Sequence, residues 1–309
     1  MSSRKVHDPG WLIRPPRLRA GSRIAVAAPA GCVAAQQLEA GIQLLESAGY
    51  RVVVPAEIYH SRRYFAGDDG QRAAVLQQWM TAPDVDALFC ARGGFGSMRI
   101  LPRLDFGAMR RSPKILVGFS DVSALLAALY ARCGLITFHG PTITTLAASD
   151  PASRAALFDA VSGKVPAALN SIGRRVVQPG RAVAPVLAGN LATLCHLVGT
   201  AFQPQLENHI LLLEDCNEAP YRIDRMLSQM KQAGCLEGLA GLGLGLFQNC
   251  GDEEEIIEIV QEVIDAPQLP MLAGLPLGHG SANLTVPVGL EAVMDTECGE
   301  VRFSEPATV

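Results

Sequence analysis

The sequence predicts a two-domain α/β protein whose first domain is built on a mainly parallel sheet. Three observations carry this expectation. The chain has 309 residues, more than a single core usually serves. Apolar runs of strand length alternate with segments of helical periodicity, as βαβ crossovers require. Thirty Gly and twenty Pro supply many tight turns without low complexity.

The elements read in chain order as follows. Residues 1–20, rich in Pro and Arg, read as an extended arm. Ser22–Pro29 is a buried strand, and Ala34–Ala48 is a helix closed by Gly49. Strands follow at Arg51–Pro55, Val85–Ala91, Ile115–Gly118 and Leu135–Phe138, with helices at Asp69–Met80 and Asp121–Cys133 between them. The character changes over residues 150–185, and 167–183 read as a linker. This divides the chain into an N-terminal unit, 1–166, and a smaller C-terminal α/β unit, 184–309. Its strands are expected at Ala184–Leu187, His209–Leu213, Gly241–Phe247 and Ala292–Met294. Its helices are expected near 190–198, 221–233 and 253–265.

Composition excludes several functions. A net charge of −4 argues against a general nucleic-acid binder. The N-terminus lacks the apolar core of a secretory signal, and the longest apolar runs are strand-length, so neither export nor a membrane span is expected. None of the eight cysteines forms a Cys-x-x-Cys pair, which fits reduced thiols in a cytoplasmic protein and argues against a zinc site.

Chemistry is sought in loops after strands, because parallel sheets bind ligands at the carboxyl ends of their strands. Ser120 stands where an apolar strand runs through Gly118-Phe-Ser-Asp121 into a helix, the setting of a nucleophile elbow. The second Gly of that motif is missing, and taken in isolation the stretch fits helix capping better than an elbow. Arg92-Gly-Gly-Phe-Gly-Ser97 can cradle a phosphate or supply half of an oxyanion hole. Glu214 ends a very apolar strand and needs a partner there, with Glu218 as its competitor. His279 lies between glycines, and His139 is its rival. The order Ser120…Glu214…His279 is one found in Ser–acid–His hydrolases. The N–H groups of Gly94 and Asp121 would then hold the oxyanion.

Longer blocks carry a resemblance. They are Ala28-Pro-Ala-Gly31, Phe65-Ala-Gly67, Ala91-Arg-Gly-Gly-Phe-Gly-Ser97, Gly118-Phe-Ser-Asp121, Ile136-Thr-Phe-His-Gly-Pro141, Gly189-Asn190, Leu213-Glu-Asp-Cys-Asn-Glu-Ala-Pro-Tyr-Arg-Ile-Asp-Arg-Met-Leu227 and Gly278-His-Gly280. In these the chain resembles the serine LD-carboxypeptidases, or muramoyltetrapeptide carboxypeptidases. The resemblance implies a class I glutamine amidotransferase-like first domain with helices on both faces of the sheet. It implies the triad Ser120, Glu214 and His279, choosing Glu214 over Glu218. It implies no metal or cofactor, a cytoplasmic homodimer, and a murein tetrapeptide substrate that loses its terminal D-Ala. The first motif departs from the family, reading Pro-Ala-Gly where a serine is common.

A carboxypeptidase must also hold a free carboxylate. Arg92, Gly93, His139 and Arg222 are the substrate-binding candidates, with Arg225 a further cation. Two other functions compete. One is a microcin-immunity peptidase cleaving peptide–nucleotide antibiotics. The other is a non-catalytic module that uses Arg92–Ser97 to bind phosphate. A glutamine amidotransferase would need Cys where this chain has Ser120.

Overall fold

A computed structural model describes residues 11–309. It contains two sheets. The first has the order β2–β1–β3–β4–β5, where β1 is Arg23–Ala27, β2 Arg51–Val53, β3 Ala87–Cys90, β4 Ile115–Gly118 and β5 Thr137–His139. These five strands are parallel. The central ones, β3 and β4, are wholly buried, which explains why they read as unbroken apolar runs rather than alternating ones. A sixth strand, Val286–Val288, returns from late in the chain and pairs antiparallel with β5. Pro287 sits in its middle, a residue that only an edge strand accepts readily.

The second sheet has eight strands, so it exceeds the first in strand number. Its centre is parallel: Arg181–Asn190, Ile210–Cys216, Gly241–Gln248 and Met271–Leu272. Its two margins are antiparallel. The stretch expected as a linker, 167–183, supplies the short strands Leu169–Asn170 and Val176–Gln178 and the start of Arg181–Asn190. These pieces are too short to show a period, which is why they read as irregular chain. The alternation of Gly and Leu over Gly241–Gln248 is close packing. A Cβ at Gly243 would stand 2.5 Å from Leu212, and one at Gly245 2.6 Å from the Leu277 carbonyl.

The helix Ser123–Cys133 joins the two sheets. Nine of its eleven residues are buried, so an almost uniformly apolar sequence suits it. Gly134, at φ 65°, ends it in the left-handed conformation that glycine tolerates. Ser123 Oγ accepts a hydrogen bond from Asn190 N at 3.1 Å, and Tyr130 Oη bonds to His209 Nε2 at 2.8 Å. Both partners belong to the second half of the chain. Residues 1–10 of the expected arm lie outside the described residues. Residues 11–20 are tied down by backbone bonds: Ile13 N to Gly134 O at 2.7 Å, Arg17 N to Val309 O at 2.8 Å and Leu18 N to Val161 O at 2.8 Å. No helix among the described residues is long and apolar enough to cross a membrane.

The helix Ala35–Ser47 is pinned at Gly41, where a Cβ would lie 2.0 Å from the Ile143 carbonyl oxygen. Gly41→Ala is expected to force these helices apart and to lower stability by about 1–3 kcal/mol. Urea unfolding of the variant checks this.

Candidate active site

The carboxyl ends of strands from both sheets meet at one cleft. Strand β4 ends at Gly118, Phe119 is extended, and a 3-10 turn over Ser120–Val122 leads into the helix Ser123–Cys133. Ser120 has φ 63°, a left-handed backbone conformation rare for a residue with a side chain. Holding it there costs about 1–3 kcal/mol. Gly118 makes the sharp turn possible, since a Cβ there would meet Val122 at 2.7 Å and Cys90 at 3.2 Å. These are the features of an elbow that lifts a side chain off the sheet.

The elbow presents Ser120 to His279. His279 Nε2 lies 3.0 Å from Ser120 Oγ, and His279 Nδ1 lies 2.6 Å from Glu214 Oε2. The Glu214 side chain is fully buried, while that of His279 is 19% exposed. Glu214 stands in register with Asn190 on the neighbouring strand. His279 reaches it from the Gly-rich loop beyond Leu277. Gly278, at φ 125°, is needed there because its Cβ would lie 3.0 Å from Glu214 Oε2.

Burial opposes charging of His279, but the bonded side chains of Cys216 and Glu214 outweigh it and raise its pKa to about 10. A serine hydroxyl, an imidazole and a buried carboxylate in this chain can transfer the hydroxyl proton to nitrogen and stabilise the resulting imidazolium.

The Gly-rich loop after β3 closes one side. A Cβ at Gly93 would stand 2.7 Å from Ser120 Cβ and 2.8 Å from its Oγ. Gly93 O accepts from Gly31 N at 3.1 Å, which ties this loop to the one after β1. The buried Asp121 carboxylate accepts from Ser97 N at 2.8 Å and so locks the elbow to the same loop. Gly94, Ser120 and Asp121 share a cavity of about 230 Å³ with Asn190, Cys216 and Glu218. Asp215 orders its far wall by accepting from Asn190 Nδ2 at 2.9 Å and Ala192 N at 2.8 Å.

The substrate-binding candidates divide. Gly93 abuts Ser120. Arg92 is exposed and donates to Cys32 O at 3.0 Å, beside the Gly31–Gly93 junction. Arg222 is exposed at the start of the helix Pro220–Gln232, 3.4 Å from Glu218. His139 is fully buried. It lies on β5, inside the sheet, and burial pushes its pKa down to about 4. Asn190 and Asp215 were visible only inside family blocks. Their roles depend on strand pairing, which residue spacing does not reveal.

Comparison with known proteins places the chain. Residues 24–140 match the model of the LD-carboxypeptidase N-terminal domain, and residues 183–294 that of the C-terminal domain. A murein tetrapeptide carboxypeptidase of Pseudomonas aeruginosa is 32% identical over 313 residues, covering 96% of this chain and 98% of that one. The chain belongs to the LD-carboxypeptidase family. It is therefore a serine-type carboxypeptidase, a hydrolase. The crystal structure of a muramoyltetrapeptide carboxypeptidase from Oxalobacter formigenes superposes with a TM-score of 0.81 at 28% identity, over 92% of this chain and 100% of that one. The microcin C7 self-immunity protein of Escherichia coli is 27% identical over 312 residues, 90% of this chain and 91% of its own. A structure of that immunity protein with glutamyl sulfamoyl guanosine has a TM-score of 0.87 at 23% identity and covers 96% of this chain and 99% of its own, a likeness of fold.

Gly93→Ala would drive a methyl group into the Ser120 side chain. Its kcat is expected to fall by about 100-fold, since a displacement near 1 Å at a reacting group costs that much. Circular dichroism and steady-state kinetics of the variant check that the fold survives while turnover does not.

Proposed function

We propose that this LD-carboxypeptidase uses Ser120, His279 and Glu214 as its catalytic triad to hydrolyse murein tetrapeptide in cytoplasmic cell-wall recycling. The bond cleaved joins the L-centre of diaminopimelate to the terminal D-Ala. The single observation that carries the reading is the unbroken chain Ser120 Oγ–His279–Glu214, with bonds of 3.0 and 2.6 Å. The name of the Pseudomonas relative supports the substrate.

In this mechanism His279 Nε2 takes the Ser120 proton as Oγ attacks the scissile carbonyl carbon. Glu214 holds the ring and stabilises the imidazolium. The N–H groups of Gly94 and Asp121 receive the developing oxyanion, each contributing about 3 kcal/mol. Asp121 stands in the first turn of the elbow helix, where N–H groups have no intrahelical acceptor. Collapse of the tetrahedral intermediate breaks the C–N bond, and the imidazolium returns its proton to the departing D-Ala amine. Water, activated by His279, then releases the acyl group from Ser120.

The purified protein should release D-Ala from murein tetrapeptide, and Ser120→Ala should abolish release while leaving the fold and ligand binding near normal. D-Ala quantified by an oxidase-coupled assay decides this; hydrolysis that survives in the variant would remove Ser120 from the mechanism. The relationship to the immunity protein makes the peptide–nucleotide amide the second reading. Turnover of an aminoacyl sulfamoyl nucleoside without D-Ala release would select it.

The raised pKa of His279 sets the pH dependence. The base form appears as pH rises through the folded-state value of about 10, so kcat/KM should climb on the alkaline side of neutrality. Glu214→Gln removes the acid that favours the imidazolium. It should move the acid limb to lower pH and reduce the plateau, as read in pH–rate profiles of both proteins.

A further inference from the structure

Next to the triad lies a buried polar cluster that the mechanism does not use. Five buried side-chain atoms there have no hydrogen-bond partner among the described residues: Glu214 Oε1, His139 Nδ1 and Nε2, Asn283 Nδ2 and Thr285 Oγ1. All four residues are at most 2% exposed. They come from separate parts of the chain and converge. His139 pairs with Val286, the residue after Thr285. A Cβ on Gly140, the residue after His139, would stand 2.6 Å from Thr285 Oγ1. Asn283 Oδ1 accepts from Gly278 N at 3.1 Å, and Gly278 itself abuts Glu214. The Phe119 ring touches both histidines, with centroids 4.8 Å from His279 and 6.1 Å from His139. Glu214 and His279 both bear on the titration of His139.

The chemistry of the cluster is complementary. A carboxylate only accepts, and Glu214 spends Oε2 on His279, leaving Oε1 in need of a donor. Neutral imidazole offers one N–H and one lone pair. The Asn283 amide offers donors, and a threonine hydroxyl offers either role. Buried polar groups are almost always partnered, by protein or by an enclosed water making about three hydrogen bonds. Leaving one unpartnered costs about 1–3 kcal/mol. The acceptor in need of a donor is the carboxylate oxygen that is not bonded to His279.

We propose that His139 is a positioning residue for the triad: through one enclosed water, shared with Asn283 and Thr285, its neutral ring gives Glu214 Oε1 a hydrogen-bond donor and fixes the carboxylate against His279. This assignment rests on the triad reading above. It makes the Glu214 geometry a shared product of β5, the strand Val286–Val288 and the His279 loop.

The test uses the full chain carrying His139→Phe, His139→Gln or Thr285→Val. Two readouts are taken: kcat and KM on murein tetrapeptide, and the proton NMR resonance of the His279 Nδ1–H bond to Glu214 without substrate. Glutamine can donate and accept where phenylalanine cannot. His139→Phe should lower kcat by about 10- to 100-fold, as outer-shell partners of an active group do, with KM changed by less than about twofold. It should also broaden or shift the resonance far upfield, and His139→Gln should recover most of both signals. An unchanged resonance and kcat in His139→Phe would overturn the proposal, as would His139→Gln failing as fully as His139→Phe. If His139→Phe does not fold, His139→Gln and Thr285→Val decide. A loss of kcat at constant KM in Thr285→Val, with a perturbed resonance, sustains the proposal; wild-type values for both overturn it. The resonance needs no turnover, so it separates failure of this inference from failure of the substrate or of Ser120.

Discussion

The structure depends on one buried carboxylate. Glu214 follows four buried apolar residues in the strand Ile210–Cys216, with no exposed side-chain surface. A charge there is costly to desolvate, and breaking such a pair costs about 3–5 kcal/mol because the remaining charge is stranded. The His279 ring therefore has a strong reason to stay against it. The loop that brings the ring needs glycine at Gly278, where a side chain would collide with the carboxylate. The same contact raises the basicity of the imidazole that faces Ser120. Folding energy and chemical competence thus draw on a single hydrogen bond.

Strain on the Ser120 side is balanced by different means. The residue is held at positive φ by the β4 strand before it and the buried helix after it. Asp121 adds a tie from the elbow to the Gly-rich loop, and Gly93 lets that loop approach the serine closely. The strained serine lies in the first sheet's system and the acid in the second's. The helix Ser123–Cys133 contacts both halves through Ser123 and Tyr130, so it sets the distance between them.

What could be read in the sequence follows from how far each signal reaches along the chain. The central strands β3 and β4 and the helix Ala35–Ser47 declare themselves through contiguous apolar runs or helical spacing. The strand Arg181–Asn190 was legible only over Ala184–Leu187, because its first half alternates exposed and buried residues on an antiparallel margin. Val286–Val288 joins a sheet whose other strands lie about 150 residues earlier or more, and Pro287 disguises it. At the site, the local turn around Ser120 fits a helix cap better than an elbow, and only its pairing with Glu214 and His279 and the family blocks around all three single it out. The spacing of residues says nothing about depth, so it does not reveal that His139 is fully buried.

The depth of His139 is informative about how the site is built. A histidine in a short apolar strand has no sequence signal separating a ligand-facing ring from a buried one. Burial lowers the basicity of His139, whereas the bonded side chains of Cys216 and Glu214 raise that of the partly buried His279 ring. Two imidazoles that both feel Glu214 are therefore driven toward opposite protonation states by their surroundings alone. The outer one can accept a proton from a serine at the cleft only in its deprotonated form, which rising pH supplies. The inner one stays neutral, and a neutral ring can lend a donor to a carboxylate without competing for its charge. Residue type alone could not assign these roles; they come from the depth at which β5 and the His279 loop place each ring.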